Sequence, residues 1–145
     1  MQKKAKGLFG GDKYNAPGGK LQEGEDPKDG VVRETKEETG LTISNFKKYG
    51  TLYFYEKSKE ELSWLVHVFM ATEFSGDLKH DYREGTLEWV AQGQIPYDKM
   101  WEDDQYWVPL LLDQKQFTAH FYFEDDFKKL LSKEIFLLPE IEKSN

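Results

Sequence analysis

Glu34, Glu37 and Glu38 are spaced so that a helix would bring them onto one face. Three carboxylates this close together repel each other unless a cation lies among them. A hard divalent ion such as Mg2+ favours an oxygen-rich cluster of this kind and completes its coordination with phosphate oxygens and water. Arg33 precedes Glu37 by four positions and can hold that carboxylate in place. The pattern predicts metal-assisted chemistry on a phosphate compound.

The residues around these glutamates predict one helix with defined ends. Asp26 is a favourable N-cap, and Pro27 suits the first helical position. Gly40 is a natural stop, because glycine adopts the left-handed cap conformation at little cost. Gly30 is unfavourable inside the helix, by about 1 kcal/mol relative to Ala. The side turned to the core is expected to carry Val31, Thr35 and Thr39.

A solvated acidic helix face is the alternative interpretation of the glutamates taken alone. The run Asn15-Ala16-Pro17-Gly18-Gly19-Lys20 ahead of the helix favours a ligand site instead. A proline followed by two glycines makes a tight loop whose backbone can approach a ligand closely.

The segment from Gly19 to Leu41 resembles the Nudix box, the signature of Nudix hydrolases. Gly19 is followed after five residues by Glu25, and Arg33-Glu34 comes after seven more. Glu37-Glu38 and Gly40-Leu41 complete the motif. The resemblance implies hydrolysis of a diphosphate linkage that depends on Mg2+, with Mn2+ as an alternative.

The same resemblance assigns roles to individual residues. The implied metal ligands are Gly18 (through its carbonyl), Glu34, Glu37, Glu38 and Glu84. Glu84 has a looser match than the others, and a solvated loop residue is its alternative. Glu25 is expected to support Arg33 rather than to bind metal. The general base is Glu34, Glu37 or Glu84, and the sequence does not separate them.

The region Gln94–Phe117 resembles Nudix hydrolases of the mammalian MutT-homologue type, which act on oxidised purine nucleoside triphosphates such as 8-oxo-dGTP. There, a Trp-x-Asp-Asp motif and an Asn ahead of the Gly-Gly loop line the base pocket. The matching residues are Asn15, Trp101, Asp103 and Asp104, with looser matches at Phe9 and Phe54, and Lys20 is a candidate phosphate contact. The alternative for Asp103 and Asp104 is a plain helix start. The alternative for the aromatic residues is core packing, and for Lys20 it is surface charge.

Two neighbouring carboxyls in a partly dry pocket do not both ionise easily. One of the two is therefore expected to hold a proton, so that the pair donates as well as accepts hydrogen bonds.

The strand and helix patterns predict an α/β (α+β) fold, which the resemblance sharpens to a Nudix α/β/α sandwich around a mixed sheet. Strands are expected at 48–57, 64–73, 86–90 and 117–123, and a short helix near Asp103. Helical spacing in the tail falls at Phe127, Leu130, Leu131 and Ile135. Since only about 14 residues precede Asn15, the usual first strand of the family is expected to be missing.

Global properties favour a single domain over residues 1–145, with the Nudix box at 19–41 and the tail 124–145 outside the resemblance. The chain has no Cys, so a diphosphate isomerase with a catalytic Cys is excluded. A net charge of −7 argues against a nucleic-acid polymer as partner. No signal peptide or membrane span is apparent, so a cytoplasmic protein without membrane contact is expected.

Together these features predict an enzyme of nucleotide-pool sanitation and DNA repair. It would hydrolyse 8-oxo-dGTP, with 2-hydroxy-dATP as a further candidate, to the monophosphate and pyrophosphate. The expected partner is this small nucleotide, and the expected state is a monomer, with a homodimer as alternative. Other Nudix substrates (dinucleoside polyphosphate, ADP-ribose, an unmodified dNTP) and a non-catalytic nucleotide-binding module are the remaining alternatives.

Overall fold

Two helices and seven strands occur among residues 2–4, 14–17, 21–79 and 85–139, which are those that the structure, a computed structural model, describes. The strands are β1 (Gln2–Lys4), β2 (Tyr14–Asn15), β3 (Thr42–Glu56), β4 (Trp64–Ser75), β5 (Gly85–Leu87), β6 (Phe117–Phe123) and β7 (Leu130–Leu137). The helices are α1 (Pro27–Thr39) and α2 (Asp104–Leu112). Contacts divide the chain into two units, Met1–Phe46 with Ala71–Trp101 and Lys47–Met70 with Glu102–Asn145.

The first unit contains α1 and a small sheet in the order β2-β1-β5. β1 pairs antiparallel with both neighbours, so Lys3 lies opposite Tyr14 on one side and Thr86 on the other. A strand therefore precedes the glycine loop, and the prediction that the first strand is missing was wrong. β1 consists of Gln-Lys-Lys and has none of the β-branched or aromatic residues that mark a strand in sequence.

The second unit is built on β6, whose side chains alternate between buried and half-buried positions. Its buried face consists of Phe117, Ala119, Phe121 and Phe123. β6 runs parallel to β3 and antiparallel to β7 in a sheet ordered β4-β3-β6-β7, so the sheet is mixed. The predicted α+β class with a mixed sheet is confirmed.

Helix α2 packs against this buried face through Trp107, Leu110 and Leu111. Pro109 lies inside α2, which continues to Leu112 before it ends. Proline removes a backbone hydrogen-bond donor and limits helix propagation, and α2 ends three residues after Pro109. The core of the second unit thus lies between α2 and β6, and this packing fixes the start of α2.

The tail of the chain differs from its predicted helical pattern. Residues 130–137 form strand β7, paired with β6 along its length. Asp126 and Phe127 have positive φ values of 61° and 56°, which break any helix that would begin there. The predicted strand at 86–90 is shorter than expected and ends at Leu87. No helix among the described residues has the length and apolar character needed to cross a membrane.

Candidate active site

Helix α1 begins and ends as its sequence predicts. Asp26 is the N-cap, and its Oδ1 accepts a hydrogen bond from the Lys28 N–H at 2.8 Å. Gly40 takes the left-handed conformation (φ 83°) at the C-cap. Thr35 and Thr39 are buried, while Glu34 and Glu38 are half-buried and Glu37 is exposed. The three glutamates therefore occupy the more accessible side of the helix.

Arg33 organises the acidic residues of this region. Its Nε and Nη2 donate to the two carboxylate oxygens of Glu25 at 2.8 and 2.9 Å. Its Nη1 lies 2.9 Å from Glu34 Oε1 and 3.1 Å from Glu37 Oε2. The bond from Arg33, followed by that from the Gln22 N–H, lowers the pKa of Glu25 to about 2, so Glu25 stays ionised at neutral pH. The expectation that Glu25 supports Arg33 agrees with these contacts.

Gly30 allows the loop that carries Glu25 to lie against α1. Gly30 is buried, and a Cβ there would collide with the Leu21 side chain and lie 3.3 Å from Glu25 Oε1. The helix accepts the unfavourable propensity of glycine at this position. The close approach lets the Glu25 carboxylate form a bidentate pair with Arg33, which is stronger and more directional than a single hydrogen bond.

The carboxylates on α1 fit a divalent cation in their chemistry. Glu34 and Glu37 each turn one oxygen to the same cationic nitrogen of Arg33, which shows that they converge on one positive centre. Within the described ranges no group of three or more His, Asp or Glu side chains is arranged to hold a metal ion. Two of the predicted ligands, Gly18 and Glu84, lie outside those ranges.

The start of α2 carries a second pair of acids in a different environment. Asp103 and Asp104 are buried, with 4% and 7% of their surface exposed. Asp103 stands at the N-cap position, yet its side chain makes no capping hydrogen bond. Its Oδ2 instead accepts a hydrogen bond from Trp107 Nε1 at 2.9 Å. The plain helix-start interpretation of Asp103 is therefore wrong as far as capping is concerned.

Burial raises the pKa of Asp103, and hydrogen bonds from Trp107 and with Asp104 oppose that rise. A hydrogen bond between two carboxyl groups requires that one of them carries a proton. A raised pKa favours the protonated carboxyl, and a protonated carboxyl donates as well as accepts hydrogen bonds.

The other predicted site residues fall into three groups. Trp101 is half-buried and lies just ahead of α2. Phe54 is partly buried and packs near Phe121 and Phe123, with ring centroids 5.7 and 6.2 Å apart. Asn15 lies in β2, and its side chain is outside the described part of the structure. Phe9, Lys20, Gly18 and Glu84 also lie outside the described residues.

The sequence interpretation missed two residues that contact the candidate site. Trp107 was assigned no role from the sequence, although its spacing of four from Asp103 permits their hydrogen bond. Lys79 contacts the backbone of α1 from 42 residues away, and no local pattern predicts such a contact.

Comparison with known proteins identifies the family to which this chain belongs. Residues 1–111 match the family model described as the NUDIX domain, and the chain belongs to the Nudix family. It is 41% identical over 117 residues to the oxidized purine nucleoside triphosphate hydrolase of Mus musculus, a match that covers 81% of this chain and 74% of that protein. The protein of the same name from Danio rerio is 37% identical over 116 residues, covering 80% and 73%. A crystal structure of a MutT protein from Bacillus halodurans matches with a TM-score of 0.76 at 29% identity, over 86% of each chain.

Family membership makes this chain a Nudix pyrophosphohydrolase. Nudix hydrolases generally need divalent metal ions, in keeping with the carboxylates on α1. The match spans parts of both contact units, so the single-domain interpretation stays a prediction.

Proposed function

We propose that this Nudix hydrolase removes oxidised purine nucleoside triphosphates from the nucleotide pool, with release of the monophosphate and pyrophosphate. The observation that carries the proposal is that Arg33 contacts Glu25 in the loop before α1 together with Glu34 and Glu37 on α1. It occurs in a chain 41% identical to an enzyme named for hydrolysis of oxidised purine nucleoside triphosphates. The first candidate substrate is 8-oxo-dGTP, followed by 2-hydroxy-dATP.

In this proposal α1 supplies the residues that hold Mg2+, with Mn2+ as an alternative. The ligands are Glu34, Glu37 and Glu38, joined by the Gly18 carbonyl and Glu84. When bound, the metal supplies neutralisation of the triphosphate charge and a bound water of lowered pKa. Arg33 restrains Glu34 and Glu37, and Glu25 restrains Arg33. Glu34, Glu37 or Glu84 accepts the proton of the attacking water.

In this proposal, Asp103 and Asp104 at the start of α2 recognise the purine base through hydrogen bonds. Asp103 presents an oxygen that Trp107 already orients, and the proton shared with Asp104 supplies a donor. A donor and an acceptor side by side can match the edge of an oxidised purine. Trp101 stacks on the base, and the supporting contacts are assigned to Asn15, Phe9, Phe54 and Lys20.

The test is turnover of a nucleotide panel with Mg2+, scored by pyrophosphate and monophosphate release. We expect 8-oxo-dGTP to be hydrolysed with a higher kcat/KM than dGTP, and to yield 8-oxo-dGMP. Preference for dGTP, a dinucleoside polyphosphate or ADP-ribose would assign another Nudix substrate. Binding of 8-oxo-dGTP without hydrolysis of any nucleotide would favour the non-catalytic binding module.

We also propose that residues 1–145 act as one domain, as a monomer in the cytoplasm. A homodimer is the alternative state. Sedimentation analysis of the full chain with and without Mg2+ checks the oligomeric state.

A further inference from the structure

The last turn of α1 carries Glu37 and Glu38, and its backbone carbonyls need partners because a helix leaves its final carbonyls without intrahelical bonds. Lys79, on the segment that follows β4, supplies two of these partners. Its backbone N–H donates to Thr39 O at 2.7 Å. Its Nζ donates to Glu37 O, also at 2.7 Å.

The segment Gly76–Lys79 lies against the end of α1 with little room between the two backbones. A Cβ on Gly40 would lie 2.7 Å from Asp77 O, and one on Gly76 would lie 2.9 Å from Gly40 O. Both glycines have positive φ, 83° and 94°. Backbone contacts this close leave few alternative positions for the final turn of the helix.

We propose that Lys79 is a positioning residue for the metal site on α1. It holds the carbonyls of the last turn, and it thereby fixes the directions in which Glu37 and Glu38 leave the helix. Lys79 contacts this turn through backbone atoms, so its effect on the metal passes through the glutamates. The inference rests on the proposed function, because it takes α1 to be the metal-binding helix.

The competing explanation is purely electrostatic, and it predicts an effect of opposite sign. A lysine ammonium near a cation site repels the cation, so its removal would tighten metal binding. A positioning role predicts weaker binding, because the carboxylates lose their fixed directions. The direction of the change in Kd therefore separates the two explanations.

The experiment is calorimetric titration of the full chain with MgCl2 alone, without nucleotide. For Lys79→Met we expect Kd to rise by about tenfold, as is usual when a residue behind the metal ligands is removed. Lys79→Arg, which keeps a long donor, should recover most of the affinity. Lys28→Met is the matched control, since it removes the same charge from the opposite end of α1 and should leave Kd unchanged.

A second measurement tests the position of the helix end without metal. Amide hydrogen exchange at residues 39–41 should accelerate in Lys79→Met and not in Lys28→Met, because the last turn has lost a partner. Unchanged or tighter Mg2+ binding by Lys79→Met would overturn the inference alone. If the parent chain binds no Mg2+, or if Glu38→Gln binds it equally well, the metal site on α1 is refuted and the inference with it.

Discussion

The two acidic clusters of this protein are built in opposite ways. In the first cluster, Glu25 from the loop before α1 shares the Arg33 guanidinium with Glu34 and Glu37 on α1, and the three carboxylates are accessible to solvent to different degrees. At the start of α2, Asp103 and Asp104 are buried, and Asp103 takes its hydrogen bond from Trp107. An arginine favours the ionised carboxylate, whereas burial favours the protonated form.

This difference in environment indicates how carboxyl groups of one chain can suit two chemical tasks, metal binding and hydrogen bonding to a base. Carboxylates kept ionised are suited to hold a cation and to accept a proton from water. Carboxyls of which one is protonated are suited to donate and accept hydrogen bonds to a neutral base. In the proposed function, the environments of the carboxyls, more than the residue types, divide the roles.

The largest expected effect comes from Glu38 on α1, a proposed metal ligand. Glu38→Gln keeps the size of the side chain and removes a metal ligand, so kcat on 8-oxo-dGTP should fall by about a hundredfold or more. The melting temperature of the metal-free protein should change little. Glu61→Gln, on the exposed loop between β3 and β4, is the control and should keep full activity. Full turnover by Glu38→Gln would remove the catalytic role of the α1 cluster.

The buried pair should affect selectivity more than the chemical step. In Asp103→Asn or Asp104→Asn one carboxyl of the buried pair is lost, and kcat/KM for 8-oxo-dGTP should fall by about ten- to a hundredfold, the worth of one charge-assisted hydrogen bond. Since burial raises the pKa of Asp103, the parent should lose its preference for 8-oxo-dGTP over dGTP as pH rises and Asp103 ionises.

In Asp103→Asn that pH dependence should disappear, because an amide does not titrate in this range. Asp113→Asn, at the exposed end of α2, is the control for the loss of one negative charge. Parallel pH profiles of kcat/KM for the parent and Asp103→Asn would show that Asp103 does not set the preference.

The sequence was informative where structure is local. Asp26, Pro27 and Gly40 mark the two ends of α1, and the alternating sequence from Phe117 to Phe123 predicts the alternating burial in β6. The Nudix spacing likewise identified Arg33 and its acidic neighbours before any contact was known.

Features that depend on distant partners were not predictable in this way. Leu130, Leu131 and Ile135 have helical spacing by coincidence, and pairing with β6 makes the segment a strand. β1 is a strand only because β2 and β5 flank it. The spacing of Asp103 and Trp107 permitted a hydrogen bond, yet only the burial of Asp103 makes that bond informative.

The burial of Asp103 predicts that removal of its hydrogen-bond donor, Trp107, destabilises the protein. Trp107→Phe keeps most of the packing but leaves Asp103 Oδ2 buried without its donor, so the free energy of unfolding should fall by about 1–3 kcal/mol. The loss should be larger at high pH, because the missing bond favoured the ionised form of Asp103. Trp89→Phe is the control, since Trp89 is 65% exposed and should change stability by about 0.5 kcal/mol or less. Equal losses in denaturant titrations of the two variants would contradict the assigned hydrogen bond.

The smallest expected effect is the acid sensitivity of the α1 cluster. Glu25 has a pKa lowered from 4.5 to about 2 by Arg33 and the Gln22 N–H, so its contribution to stability is complete above about pH 4.5 and is lost as pH falls towards 2. Glu25→Gln should therefore be less stable than the parent at neutral pH, and the difference should shrink across this window. Glu23→Gln, in the same exposed loop, should follow the parent at every pH. Melting temperatures of Glu25→Gln and the parent that fall in parallel between these pH values would show that Arg33 does not stabilise the folded protein through Glu25. The electrostatic difference between the cluster around Arg33 and the buried pair at α2 would then be refuted.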